Sequence, residues 1–225
     1  MIEGIVFDMD GVLIDSHPVH RLAWSKFLAS VGRTVTDRDL DFILEGRRRD
    51  DILRHFLGDL TESEIEPYRR LKGQFSEENF KDVKLMPGIR EFLSELASRG
   101  LKTGLATSAG LSRTWGTLHR FGLKDKFNAV ATADEVSSGK PDPAVYYLVS
   151  RRMGIAPENI LVIEDAVNGI LAAKSAGMRC VGLCSNDRSD VLLGSGAECI
   201  IPDFHEHSVA KLLRLVSSFP LAVTL

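Results

Sequence analysis

Apolar residues keep two different rhythms along this chain. From residue 86 onward, short apolar runs alternate with helix-length amphipathic segments, the pattern of a parallel sheet whose strands are joined by crossover helices. The runs at 103–106, 129–131, 160–163, 180–183 and 199–201 are the candidate strands, and 5–7 makes a sixth. Helices are expected to start near Pro87, after Ser108, after Pro141, after Asp165 and near His205, with proline in the first turn of two of them. The expected architecture is an open α/β sheet.

Residues 16–84 show a 3.6-type periodicity and no convincing strand. Leu22, Phe27 and Leu28 share one broad apolar face, as do Leu40, Ile43 and Leu44, and then Ile52, Leu53 and Phe56. Thr36-x-x-Asp39 resembles a capping box and Thr61-x-x-Glu64 is one, so two helix starts are marked. A helical segment between the first strand and the others is expected to be lid-like, with linkers near Ser16 and near Met86-Pro87-Gly88. The expected organisation is a core of residues 1–15 and 85–225 interrupted by a helical cap of residues 16–84.

With 225 residues and 44% hydrophobic content, the chain can bury one good core and a smaller second unit. The formal net charge of -3 is spread along the chain without a large basic face, which argues against a nucleic-acid partner. Cys180, Cys184 and Cys199 have neither zinc-site spacing nor a disulfide pattern and read as mostly buried thiols in a reducing compartment. The start of the chain lacks a basic segment followed by a long apolar stretch, and no run approaches membrane-spanning length. A cytoplasmic monomer without a membrane partner is expected.

In open parallel sheets ligands bind beyond the carboxyl ends of the strands, so the residues just after each apolar run carry the chemistry. Asp8 and Asp10 follow the first, Thr107-Ser108 the second and Glu164-Asp165 the fourth, while a loop supplies Gly139-Lys140-Pro141-Asp142-Pro143. A carboxylate beside an apolar core must be paired, hydrogen-bonded or metal-bound. Asp8, Asp10, Asp165 and Glu164 together would suit Mg²⁺, which takes few carboxylates plus water and phosphate. Each feature also has a plain structural reading. Asp8-Met9-Asp10-Gly11 makes an ordinary acidic turn, Glu164-Asp165 an acidic helix start, Thr107-Ser108 an N-cap, and Lys140 a solvated loop lysine.

In order and spacing, Asp8-Met9-Asp10-Gly11-Val12, Thr107-Ser108, Gly139-Lys140-Pro141-Asp142-Pro143 and Ile163-Glu164-Asp165-Ala166-Val167-Asn168-Gly169-Ile170 resemble the four motifs of the haloacid dehalogenase superfamily. The resemblance spans nearly the whole chain. It implies a Rossmann-like core, a helical cap after the first strand and Mg²⁺-dependent phosphoryl transfer. Asp8 would be the nucleophile that becomes an aspartyl phosphate. Asp10 would be the general acid and base and would lend the metal its backbone carbonyl. Thr107, Ser108 and Lys140 would hold phosphate. The acid role requires a protonated Asp10, so its surroundings are expected to raise its pKa.

Within the superfamily, the chain looks most like the β-phosphoglucomutase-like branch, which includes small-sugar phosphatases. His20, Trp24, Arg49 and Lys72 fall where such enzymes carry cap residues facing the substrate. His20 and Trp24 would equally pack together at i, i+4, the Arg47-Arg48-Arg49 run would be largely solvated, and Lys72 would be a surface lysine. Arg49 with Lys72 would make a second phosphate site, the feature a mutase needs. The favoured function is a phosphatase acting on a small phosphorylated sugar or organic acid, with a sugar-phosphate mutase as runner-up. A phosphoacceptor signalling domain shares the acids, hydroxyl and lysine but would lack a helical insert, and a catalytically silent protein would not keep the whole set. His205-Glu206-His207 alternates sides of a helix start and reads as solvated. The apolar tail Phe219-Pro220-Leu221-Ala222-Val223-Thr224-Leu225 is expected to dock on the core or on a partner.

Overall fold

The computed structural model describes residues 1–184, 188–205 and 208–218. The chain enters at once into β1 (Gly4–Phe7), makes a turn, and leaves it through the two-residue strand β2 (Ile14–Asp15). Four helices follow: α1 (His17–Ser30), α2 (Asp37–Ile43), α3 (Arg49–Leu57) and α4 (Glu62–Phe80). The return strand β3 (Lys84–Leu85) pairs antiparallel with β2, so both connections of the helical segment run side by side. The alternating portion comprises α5 (Ile89–Ser98), β4 (Lys102–Ala106), α6 (Leu111–Arg120), β5 (Ala129–Ala131), α7 (Ala144–Met153), β6 (Ile160–Glu164), α8 (Val167–Ser175), β7 (Arg179–Leu183), α9 (Ser189–Gly194), β8 (Ile200–Ile201) and α10 (Val209–Ser217).

The six long-range strands form one parallel sheet in the order β5-β4-β1-β6-β7-β8. Successive residues of β1 point to opposite faces, so a strand covered on both sides must be apolar throughout. Ile5 and Phe7 enter one core cluster with Phe92, Leu93 and Phe204, while Val6 enters the other with Tyr146, Val149 and Met153. The chain runs outward from β1 through β4 to β5 and then crosses to β6, which places the switch in strand order at β1. Ligand crevices form at such switches, beyond the strand ends.

The helical segment has its own core of Trp24, Phe27, Leu28, Ile43, Ile52, Leu53 and Ile65. Both capping boxes are present, Thr36 with Asp39 and Thr61 with Glu64, each hydroxyl accepting from the third residue's amide while that residue's carboxylate accepts in return. One face departs from the sequence reading: Leu22 is exposed and Trp24 takes the inward position beside Phe27, because the apolar stripe of α1 is rotated toward α4. The last strand begins at Ile200 and the last helix at Val209, later than the apolar runs indicate. Cys180 and Cys199 are buried and Cys184 is half-buried. Among the described residues no helix is long and apolar enough to cross a membrane. Glu206, His207 and the tail from residue 219 lie outside the described residues.

Candidate active site

Beyond the end of β1 the backbone tightens into a turn in which the Leu13 amide donates to the Met9 carbonyl and the Gly11 amide to the Ile14 carbonyl. Gly11 has a φ of 76°, and a Cβ there would overlap the Asp165 carboxylate and come within 2.6 Å of His17 Nε2. The glycine therefore serves both the turn and the close approach of Asp165. Across the sheet switch, β6 ends on Glu164 and delivers Asp165.

Asp8, Glu164 and Asp165 are all buried, and one oxygen from each lies within 4.8 Å of the others. The Lys140 ammonium sits among them, donating to Asp8 Oδ1 at 2.7 Å, to Glu164 Oε1 at 2.5 Å and to the Ala106 carbonyl at 3.1 Å. Far from a solvated loop lysine, it is 3% exposed. Burial opposes its charge, but Asp8 and Glu164 hold its pKa above the ordinary lysine range. Burial also raises the Asp8 carboxyl well above the usual range; Lys140 pulls the other way, while Glu164, Asp165 and Asp10 add to the rise.

Glu164 is the most committed of the three. Its Oε1 accepts from Lys140 and from the Tyr146 hydroxyl at 2.8 Å, and its Oε2 accepts from the amides of Asp165 and Ala166. Asp8 and Asp165 keep more free acceptor capacity, and Asp165 Oδ2 lacks an aligned hydrogen bond despite lying 2.9 Å from His17 Nε2. Burial works against a charged His17, yet Asp165 holds its pKa above the ordinary histidine value. A buried acidic group with one lysine between two members and an under-satisfied oxygen on the third fits a hard divalent cation.

The helix after Glu164 can start only because residue 169 has no side chain, since a Cβ on Gly169 would overlap the Glu164 carboxylate. Gly169→Ala is expected to lower stability by about 1–3 kcal/mol, the usual penalty of forcing a buried group to shift. Denaturant unfolding checks this, and an unchanged midpoint would count against so tight a seat for Glu164.

Asp10 points away from this group into the cleft. Its carboxylate accepts from Ser16 Oγ at 2.6 Å, lies 3.1 Å from His20 Nε2 and is engaged at both oxygens by Arg113 Nη2. Ser16 precedes α1 but makes no capping bond with its side chain, its hydroxyl being turned to Asp10 instead. The sequence expectation of a raised Asp10 pKa is reversed. Burial does raise it, but Arg113, His20 and the hydrogen bonds hold it well below the usual carboxylate range. Burial pushes His20 itself down to about 4. His20 is therefore neutral near pH 7, and Arg113 supplies the positive charge that keeps Asp10 ionised.

Thr107 is buried at the end of β4, with Oγ1 accepting from the Ala109 amide at 3.0 Å. Ser108, the other candidate phosphate ligand, donates its hydroxyl to the Gly46 carbonyl of the helical segment at 2.7 Å, which engages it elsewhere. Next to that contact Arg48 donates to the carbonyls of Ala133, Val136 and Ser137. The arginine run is thus divided by task. Arg47 lies over the Phe42 ring at 4.3 Å, Arg48 ties the helices to the sheet loops, and Arg49 stands half-exposed in the cleft, 3.8 Å from Asp50.

The helical segment roofs a cleft of about 870 Å³ whose lining includes Asp8, Asp10, His20, Trp24, Arg49, Lys72, Thr107, Ser108, Arg113 and Asp165. Lys140 and Glu164 lie behind it, through Asp8. The i, i+4 pair also separates, His20 going to Asp10 and Trp24 into the helical core under Lys72, whose Nζ is 4.8 Å from the indole ring. Lys72 is 5% exposed and donates to Ser76 Oγ at 2.6 Å, so the surface reading is wrong for it. Neither His17 nor Arg113 is singled out by the sequence, and Arg48 is read there only as part of a largely solvated run, whereas it is tied to the sheet loops. The only local signal was that His17 and Arg113 sit in the first turn of helices that follow strand-end motifs.

A haloacid dehalogenase-like hydrolase family model matches residues 2–177. The chain is 32% identical over 214 residues to a phosphorylated carbohydrates phosphatase of Thermotoga maritima, covering 89% of this chain and 94% of that protein. It is 31% identical over 196 residues to a β-phosphoglucomutase of Bacillus subtilis, covering 81% and 83%. A crystal structure of β-phosphoglucomutase from Clostridium difficile superposes with a TM-score of 0.86 at 25% identity, covering 97% of this chain and 98% of that one. With strand-end acids, buried lysine and roofed cleft in one arrangement, the chain belongs to the haloacid dehalogenase-like hydrolase family.

Proposed function

We propose that the protein is a Mg²⁺-dependent phosphatase that hydrolyses a small phosphorylated sugar or organic acid through a phosphoryl group carried on Asp8. One observation carries this reading: a buried Asp8, fixed by Lys140 and backed by Glu164 and Asp165, opens into a cleft beneath the helical segment with room for a small metabolite. Asp8, Asp165 and the Asp10 carbonyl would hold Mg²⁺, with Glu164 behind them. The cation, when bound, supplies charge neutralisation and alignment for the transferring phosphoryl group.

The chain's own groups do the rest. Lys140 holds the Asp8 carboxylate with an oxygen free toward the cleft and offsets charge on the phosphoryl oxygens, aided by the Thr107 hydroxyl and main-chain donors. Asp10, ionised while it pairs with Arg113, would first take up a proton from solvent once substrate binding loosens that pair, then deliver it to the leaving oxygen and afterwards take one from water. Residues 16–84 act as a cap, and the Ser108–Gly46 and Arg48 contacts hold it against the sheet loops while water is excluded. The mutase reading is favoured by one further feature, Arg49 and Lys72 on the cap side of the cleft, where a second phosphate would sit.

Incubation with Mg²⁺ and a panel of phosphorylated sugars and acids, following both free phosphate and isomerised sugar phosphate, separates the two. Phosphate release from a subset of the panel is expected, and no release in any case would overturn the reading. A pH dependence follows from Lys72, which burial, and then Arg113 and Arg49, push down to about 7. An anionic substrate binds the charged lysine, so affinity falls as pH rises through 7. KM is expected to rise several-fold between about pH 6.5 and 8.5, and to stay level in Lys72→Arg, whose guanidinium does not titrate there. Parallel KM profiles in the two proteins would dissociate Lys72 from substrate binding.

A further inference from the structure

We propose that Arg113 is a specificity-determining residue that binds a second oxyanion, a carboxylate or phosphate, on the leaving-group end of the substrate. This deepens the phosphoryl-transfer reading and rests on it. Arg113 stands in the first turn of α6, directly after the strand-end loop of Thr107 and Ser108, and its side chain lines the cleft. Its Nη2 engages both Asp10 oxygens and lies 3.4 Å from His20 Nε2, while its Nε is buried without a hydrogen-bond partner. Arg47 and Arg48 share the unpartnered Nε, but Arg113 also keeps 30% of its side chain exposed beside the reacting group, and a guanidinium held through one nitrogen there is a fork that a planar or tetrahedral oxyanion can complete.

The surrounding charge points the same way. Lys72 and Arg49 line the same cleft, and Lys72 is destabilised as a cation by burial and by both guanidiniums. Of the acids on the far side from the Asp8 group, Asp50 accepts two bonds from Arg69 and Asp134 accepts the Leu111 amide, while Glu77 is exposed to solvent. Asp10 is the carboxylate that balances Arg113. Paired with Arg113 through both oxygens, Asp10 carries no proton, so to take one from solvent and pass it to the leaving oxygen it must turn from Arg113 toward the substrate. The released guanidinium then needs another anion, and a neutral polyol has none to offer. A substrate bearing a carboxylate or second phosphate takes over the fork as Asp10 turns, so binding and release of the proton carrier are linked.

Two matched pairs test this: 3-phosphoglycerate against glycerol 3-phosphate, and glucose 1,6-bisphosphate against glucose 6-phosphate. The members of a pair differ in whether a second oxyanion is present, and the pairs differ in which kind it is. The ratio of kcat/KM within each pair is measured for the wild type, Arg113→Ala and Arg113→Lys with Mg²⁺. The same ratio of dissociation constants is measured by calorimetry in an Asp8→Asn background, where turnover does not intervene. The wild type is expected to prefer the doubly anionic member of at least one pair by roughly ten- to a hundredfold, the strength of charge-assisted hydrogen bonds. That ratio falls to near one in Arg113→Ala and to an intermediate value in Arg113→Lys, which keeps the charge without the fork. Which pair responds identifies carboxylate or phosphate.

No wild-type preference in either pair overturns the proposal. So does an equal loss on both members in Arg113→Ala, the result if the arginine only positions Asp10. An Arg113-dependent binding ratio without any turnover would instead remove the phosphatase reading and leave the oxyanion site standing. Turnover with a binding ratio indifferent to Arg113 would remove the oxyanion site alone.

Discussion

Asp8→Asn is expected to lower Mg²⁺-dependent turnover by at least about 10⁴-fold, the scale seen when a covalent nucleophile is removed, while leaving the fold intact. The amide keeps the size of the carboxylate but cannot attack phosphorus. Its effect on stability has the opposite sign from that of a damaged core. The folded Asp8 carboxyl is raised above its unfolded value by burial and by its acidic neighbours. A raised carboxyl favours the fold at low pH and loses that contribution as pH rises through the folded value, so near neutrality an ionised Asp8 is a burden on the metal-free protein. The asparagine variant, with Lys140 still paired to Glu164, is expected to melt no lower than wild type at pH 7 in chelator. Mg²⁺ is expected to raise the wild-type melting temperature more than that of the variant. Undiminished activity, or a variant that melts well below wild type without metal, would contradict the assignment of Asp8 as a nucleophile held under electrostatic strain.

Much of this site is legible in the sequence because parallel sheets bring their strand ends together. Asp8 follows β1, Thr107 follows β4 and Glu164 closes β6, so one rule of topology gathers residues far apart in sequence. What is not legible depends on reach rather than on order. Arg113 reaches the Asp10 turn from α6 across 103 positions, and nothing near Asp10 in sequence announces it. The sequence therefore points the wrong way on the Asp10 pKa, because the charge that sets it arrives through tertiary structure. Lys72 misleads for a related reason: α4 is rich in charged residues, and its burial comes from α1 packing against it through Trp24. The two-residue strands β2 and β3 and the short α9 fall below the length at which periodicity is readable.

Asp10→Asn is expected to reduce turnover of alkyl phosphates by about 10²–10⁴-fold, the usual worth of a positioned general acid and base. The loss should depend on the leaving group. A sugar hydroxyl leaves as a strong base and needs the proton from Asp10, whereas p-nitrophenolate leaves without one. In Asp10→Asn the first half-reaction with p-nitrophenyl phosphate should therefore survive, while the second, which needs Asp10 to take a proton from water, should slow. The expected trace is a burst of one equivalent of nitrophenol per enzyme followed by slow turnover, with phosphate retained on the protein. Asparagine can still accept from Ser16 but leaves Arg113 without its anion, so the variant is also expected to bind free phosphate or a carboxylate more tightly than wild type. A loss equal for sugar and nitrophenyl phosphates, with no burst, would mean that Asp10 shapes the cleft without moving protons. A burst with phosphate retained would identify it as the group that acts on both sides of the intermediate.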